Sequence, residues 1–219
     1  MTAGEAAPLL ERARQELLLL EPAITRRLRA ALLAASAALV RSHWSGELEL
    51  IADERALWSR AGFRLSDGVI EVVPRLLTEV GRWRSWIHEL LHAHSGGGTI
   101  EEYQAGRGWE EGPVEFLQRQ WRDTLLAEVG AAVSADDLTL GDETWDAHFA
   151  SCLVDLEALR GELAEKEIER FYASLLVLPL RERYASLLAQ QVPPISLERR
   201  RRVAALARAN SGLRQPRGM

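Results

Sequence analysis

The chemistry in this sequence is concentrated in its histidines. There are five, His43, His88, His92, His94 and His148, and three of them fall between residues 88 and 94. The run His88-Glu89-Leu90-Leu91-His92 puts two imidazoles four residues apart, on one face of a helix. Both can then reach one ion about 2 Å away without distorting the backbone. Glu89 lies about 100° round such a helix from His88, close enough to reach a water at the ion without ligating it. A catalytic zinc takes three protein ligands and keeps a fourth position open. After His92 come 18 residues and then Glu111-Gly112, within the run GWEEGPVEF. A carboxylate at the start of a second helix packed against the first would meet the histidine pair side-on, and Glu110 and Glu111 are adjacent candidates. His94, two residues past His92, faces another direction and reads as a solvated or loop-bonding residue. The bland alternative is that His88 and His92 are polar-face or hydrogen-bonded core histidines.

The elements that must position these groups follow from periodicity and punctuation. Residues 8–20 and 23–42 read as helices, divided by Pro22. Glu47–Ala52 and Ala56–Trp58 are short and β-compatible, Phe63–Leu65 and Val69–Val73 flank a turn, and residues 46–73 read as a small meander of about three strands. Ser66-Asp67-Gly68 supplies the turn before the last of them. From Arg75 to His94 the pattern is helical, with Leu76, Val80, Trp83, Ile87, Leu90 and Leu91 on one stripe, and Gly96-Gly97-Gly98 stops it. Residues 99–109 read as a loop. Pro113 to about Val129 reads as an amphipathic helix, with Val114, Leu117, Trp121 and Leu125 in phase. Helices follow at about 143–177, 181–190 and 196–209. The expected fold is α+β and mostly helical, with a small antiparallel sheet packed on the HExxH helix and a helix carrying the third ligand. Along the chain this means an N-terminal helical segment (1–44), a core (45–192) and a C-terminal helix with tail (193–219), one compact domain in all.

Composition narrows the function classes. The chain has 219 residues, 47% of them hydrophobic and 27% charged, which excludes collagen-like and wholly disordered classes. Its net charge of −5 leans away from a nucleic-acid footprint. Arg199-Arg200-Arg201-Arg202 reads as a solvated helix start rather than a phosphate patch. The most lipophilic run, Ala30–Val40, falls well short of the roughly twenty residues that span a bilayer. One cysteine, Cys152, excludes a disulfide framework or a multi-thiolate zinc knuckle, and with no export signal a cytoplasmic protein is expected.

With these residues in hand, the sequence resembles the gluzincin metallopeptidases, the clan of thermolysin-like proteases, bacterial collagenases and aminopeptidase-N-like enzymes. Their pattern is HExxH, a spacer near this length, and a Glu ligand in a Glu-Gly-x-x-Glu setting, which Glu111-Gly112-Pro113-Val114-Glu115 matches. The resemblance covers about residues 69–120. Metzincins fit less well, because Ser95 and Gly98 stand where that clan needs Gly and His. The gluzincin resemblance implies Zn2+ as cofactor, with His88, His92 and Glu111 as ligands, family register favouring Glu111 over Glu110. It implies Glu89 as general base and Glu115 as the residue that orients a ligand histidine. An oxyanion donor is also implied: Tyr103 from its place between His92 and Glu111, with Tyr172, Tyr184 or His148 as rivals. The strand Gly68–Val73 would be an edge strand that binds substrate by strand addition. Pro113 departs from the pattern, being tolerable in a first turn but awkward if the helix begins much earlier.

The activity this implies is hydrolysis of peptide bonds in a peptide or protein substrate, by a metal-activated water with Glu89 as base. No nucleic-acid or membrane partner is expected. The rivals are a non-hydrolytic zinc-binding regulator on the same scaffold, and a helical interaction module whose HExxH is coincidental.

Overall fold

Asp67-Gly68 reverses the chain as the sequence predicts, and the turn also anchors the segment ahead of the sheet. In the computed structural model, which describes residues 27, 30–31, 39, 42–51, 61–64, 66–73, 82–130, 153–163, 167–189 and 197–211, Gly68 has φ 73°. Its N–H donates to the Arg64 carbonyl at 2.9 Å, and its carbonyl accepts the Ser45 N–H at 2.9 Å. A Cβ at this position would sit 2.0 Å from the His43 carbonyl oxygen. Gly68→Ala therefore combines left-handed backbone strain with overlap against main chain. The expected cost is about 2–4 kcal/mol of stability, read as a lowered urea midpoint at unchanged slope.

Two compact units divide the chain: Met1–His94 with Gln120–Asp142, and Ser95–Arg119 with Glu143–Met219. In the first unit, β1 (Leu48–Leu50), β2 (Ala61–Arg64) and β3 (Val69–Val72) form a mixed sheet in the order β1-β3-β2. β2 and β3 make the expected antiparallel hairpin, with Phe63 opposite Ile70. β1 instead joins β3 in parallel, with Leu48 opposite Ile70, so the meander and the wholly antiparallel sheet are corrected. The reason lies in the side chains. Val69, Ile70, Val72 and Val73 are all buried, and the strand most buried on its faces takes the central place, hydrogen-bonded along both edges. Gly68–Val73 is consequently no edge strand, and its backbone is already spent on β1 and β2. On the solvent side, Arg64 ties the three strands together, reaching Glu49 at 2.8 Å, Glu71 at 2.5 Å and Asp67 at 2.8 Å.

The helix α1, Arg82–His92, packs against β2. Trp86, Ile87, Leu90 and Leu91 are buried along it, while Trp83 is only half-buried. Just past its end, the Ala93 carbonyl accepts the His43 N–H at 2.6 Å. Residues 27, 30 and 31 are helical, but Leu39 and residues 42–45 are not, so the expected helix over 23–42 ends earlier. The helix over 8–20, the strand residues 56–58, the first residues of the helix at 75, and His148 lie outside the described residues.

The helix α2 runs from Ile100 to Val129, with a kink at Gly106 (φ −120°, ψ 23°). This corrects the loop expected over 99–109. The start is set by a capping box: the Glu102 N–H donates to Thr99 Oγ1 at 3.2 Å, and the Thr99 N–H donates to the Glu102 carboxylate at 2.9 Å. Val114, Leu117, Trp121 and Leu125 are buried, as their phase predicts.

The second unit also contains helical residues 153–162, α3 (Ile168–Leu176), α4 (Leu180–Ala189) and α5 (Leu197–Ser211). Leu163 is a turn and Glu167 is non-helical, so the helical run expected over 143–177 is interrupted. Tyr172, fully buried, stacks on Phe116 with ring centroids 4.1 Å apart. Gly96 fits between α1 and α2 because its N–H donates to the Leu176 carbonyl, and a Cβ there would lie 2.3 Å from the Leu178 backbone. Arg199 and Arg202 face Glu162 at 4.0 and 3.5 Å, and the arginine run is otherwise exposed. The fold is α+β and mostly helical. Among the described residues, no helix is long and apolar enough to cross a membrane.

Candidate metal centre

Helical phase brings His88 and His92 together on α1. Their Nε2 atoms are 3.1 Å apart, and the rings meet edge-on with centroids 4.8 Å apart. Two nitrogens that bind one tetrahedral ion at about 2.0–2.1 Å stand about 3.3 Å from each other, so the pair is spaced for a shared metal. His88 is buried and His92 half-buried, so the pair is largely shielded from bulk water. Glu89, next to His88, is itself buried.

Glu111 lies on α2, eleven residues after its start, and is buried. Its Oε1 accepts a hydrogen bond from the Tyr103 hydroxyl, and Arg107 Nε stands 3.8 Å from the same oxygen. Residues 103, 107 and 111 are successive i, i+4 neighbours on one helical face. Burial, and then the Glu111 carboxylate, push the Tyr103 phenol well above its usual range, so it stays a proton donor. His88, His92 and Glu111 each offer one ligand atom, these atoms lie within 4.8 Å of one another, and the group could hold a metal ion. Two imidazoles and a carboxylate make a donor set suited to a divalent transition metal, with no thiolate required.

The other candidates separate by their partners. Glu110, the neighbour that competed with Glu111, takes Arg183 Nη2 and Ser95 Oγ on its Oε2, each at 2.8 Å. Glu115 is fully buried, with Arg119 Nε 2.6 Å from its Oε1. Tyr172 donates to Glu157 Oε1 at 2.6 Å, and burial raises its phenol as well. Tyr184 falls within α4, with its side chain outside the described residues. His94 is buried rather than solvated, because the chain turns back at once and its N–H closes onto the Leu91 carbonyl at 2.9 Å.

Sequence reasoning missed Arg183 altogether. Its side chain is fully buried and contacts Ser95, Trp109, Glu110, Leu176 and Leu178. The one local hint was Pro113, which must leave a carbonyl one turn earlier in want of a donor. No known protein family, no curated protein and no solved structure matches this chain.

Proposed function

We propose that this chain is a zinc-dependent metallopeptidase of gluzincin type, acting on a peptide or protein substrate. The observation that carries the reading is the grouping of His88, His92 and Glu111, with Glu89 built into the same HExxH turn. Two imidazoles and one carboxylate are the donor set of catalytic zinc sites that keep a fourth position open.

Zinc, when bound, supplies the Lewis acidity that makes a water nucleophilic near neutral pH and polarises the scissile carbonyl. The chain's own residues do the rest. Glu89 accepts the proton of the attacking water and delivers it to the leaving amine, a task that needs a carboxylate beside the ligands rather than among them. Tyr103, kept protonated by burial and by Glu111, has one O–H to give; resting on the Glu111 carboxylate it steadies that ligand, and it serves the developing oxyanion only by turning that O–H away from Glu111. Glu115, buried one turn beyond Glu111 and paired with Arg119, is the residue that the resemblance would have orient a ligand histidine. The buried surroundings of His88, Glu89 and Glu111 lower the local dielectric and strengthen each of these interactions.

The test is metal content joined to hydrolysis. The purified chain should carry about one zinc per molecule and cleave a mixed library of internally quenched peptides. Removing the metal with 1,10-phenanthroline should abolish cleavage, and stoichiometric zinc should restore it. A chain that binds no zinc, or cleavage unaffected by the chelator, would overturn the proposal.

A further inference from the structure

The segment that joins His92 to Glu111 has both ends held by one side chain. Ser95, three residues past His92, donates through Oγ to Glu110 Oε2 at 2.8 Å. Arg183 Nη2 donates to that same carboxylate oxygen at 2.8 Å and to Ser95 Oγ at 2.9 Å. It also reaches the Leu176 carbonyl at 3.0 Å, and Nε reaches the Leu178 carbonyl at 3.0 Å. Nη1 donates to the Trp109 carbonyl. That carbonyl is the one a helical N–H at position 113 would normally satisfy, and Pro113 has no N–H to offer. Pro113 is thus tolerated well inside α2 because a donor arrives from α4.

A wholly buried guanidinium is an expensive way to fill space, and an apolar residue of similar size would serve packing as well. What the charge adds is selection. Glu110 and Glu111 are consecutive and both buried, so either could in principle turn to an ion. Arg183 takes Glu110 as its counter-ion, pins the backbone just before it through Trp109, and ties both to Ser95.

We propose that Arg183 is a positioning residue for the metal centre, clamping Ser95 to Trp109 and Glu110 so that Glu111, and not Glu110, is presented with His88 and His92. The proposal rests on the metal-binding part of the function proposed above. It follows that the register between the second histidine and the carboxylate is set by a residue more than seventy positions downstream, not by the length of the spacer.

The experiment compares the full-length chain with Arg183→Met and Arg183→Lys, measuring zinc affinity by competition with a chromophoric chelator and the visible spectrum of the cobalt(II)-loaded protein. At a temperature where far-ultraviolet circular dichroism shows both variants folded, zinc affinity should fall about 10- to 100-fold and the cobalt bands should shift. Lysine should not rescue, because one compact ammonium cannot replace the guanidinium's planar set of donors. Adding Pro113→Ala to Arg183→Met returns a helical donor to the Trp109 carbonyl and should recover part of the lost affinity. Where Arg183→Met fails to fold, Ser95→Ala, which removes one bond of the same clamp, should still weaken zinc several-fold. Folded Arg183→Met or Ser95→Ala with wild-type zinc affinity and an unchanged cobalt spectrum overturns the positioning role alone. A wild-type chain that binds neither zinc nor cobalt overturns it together with the metal centre.

Discussion

Glu89→Gln should leave zinc bound at wild-type stoichiometry while lowering peptide hydrolysis by about 10²–10⁴-fold, the usual worth of a positioned general base. The two side chains have the same shape, so the buried pocket beside His88 stays filled and the backbone of α1 is undisturbed. Only the proton-accepting oxygen is lost. The loss should appear in kcat more than in KM, because the proton moves in the transition state and not on binding. Paired zinc analysis and steady-state kinetics on the same preparation check both halves at once. Equal hydrolysis by wild type and variant would falsify the catalytic role of Glu89, and a variant that loses its zinc would make Glu89 a ligand instead.

His92→Ala should abolish hydrolysis by removing the metal itself. Structural zinc sites in small proteins bind with about 10–16 kcal/mol; taken as a scale for this site, one of its three protein ligands carries about 3–5 kcal/mol, or about two orders of magnitude and more in affinity. His92 is half-buried and lies at the end of α1, so the truncation opens little of the core. Folding should therefore survive, and thermal scans give a clean readout. Zinc at a thousandfold excess over the wild-type Kd should stabilise the wild type by about 4 kcal/mol through linkage, and the variant by no more than about 1.4 kcal/mol, a difference visible in the two midpoints. A variant that zinc stabilises as strongly as wild type would remove His92 from the ligand set.

Local patterns in the chain were legible and local interactions explain why. The HExxH helix, the buried stripe Val114, Leu117, Trp121 and Leu125, and the Asp67-Gly68 hairpin depend on neighbours within a few residues. Period and turn chemistry suffice to read them. The start of α2 is also written locally, in the Thr99-x-x-Glu102 capping box, a signal that the loop expected over 99–109 leaves out. Strand order was not legible. Three short apolar runs fit a meander as well as a mixed sheet, and which strand becomes central depends on what covers its faces.

The sequence by itself determined the ligand types, the four-residue spacing of the histidines, the base beside them and the presence of two adjacent glutamates downstream. Those facts are covalent or one helical turn in range. Spacing alone leaves Glu110 and Glu111 both open and the gluzincin register favours Glu111; what separates the two physically is tertiary structure. Arg183 is distant in sequence, carries no motif, and becomes informative only once α4 sets it beside Ser95, Glu110 and the carbonyl that Pro113 leaves without a helical donor. A buried charge must find its counter-ion, and here that requirement holds Glu110 and leaves Glu111 in the group with His88 and His92.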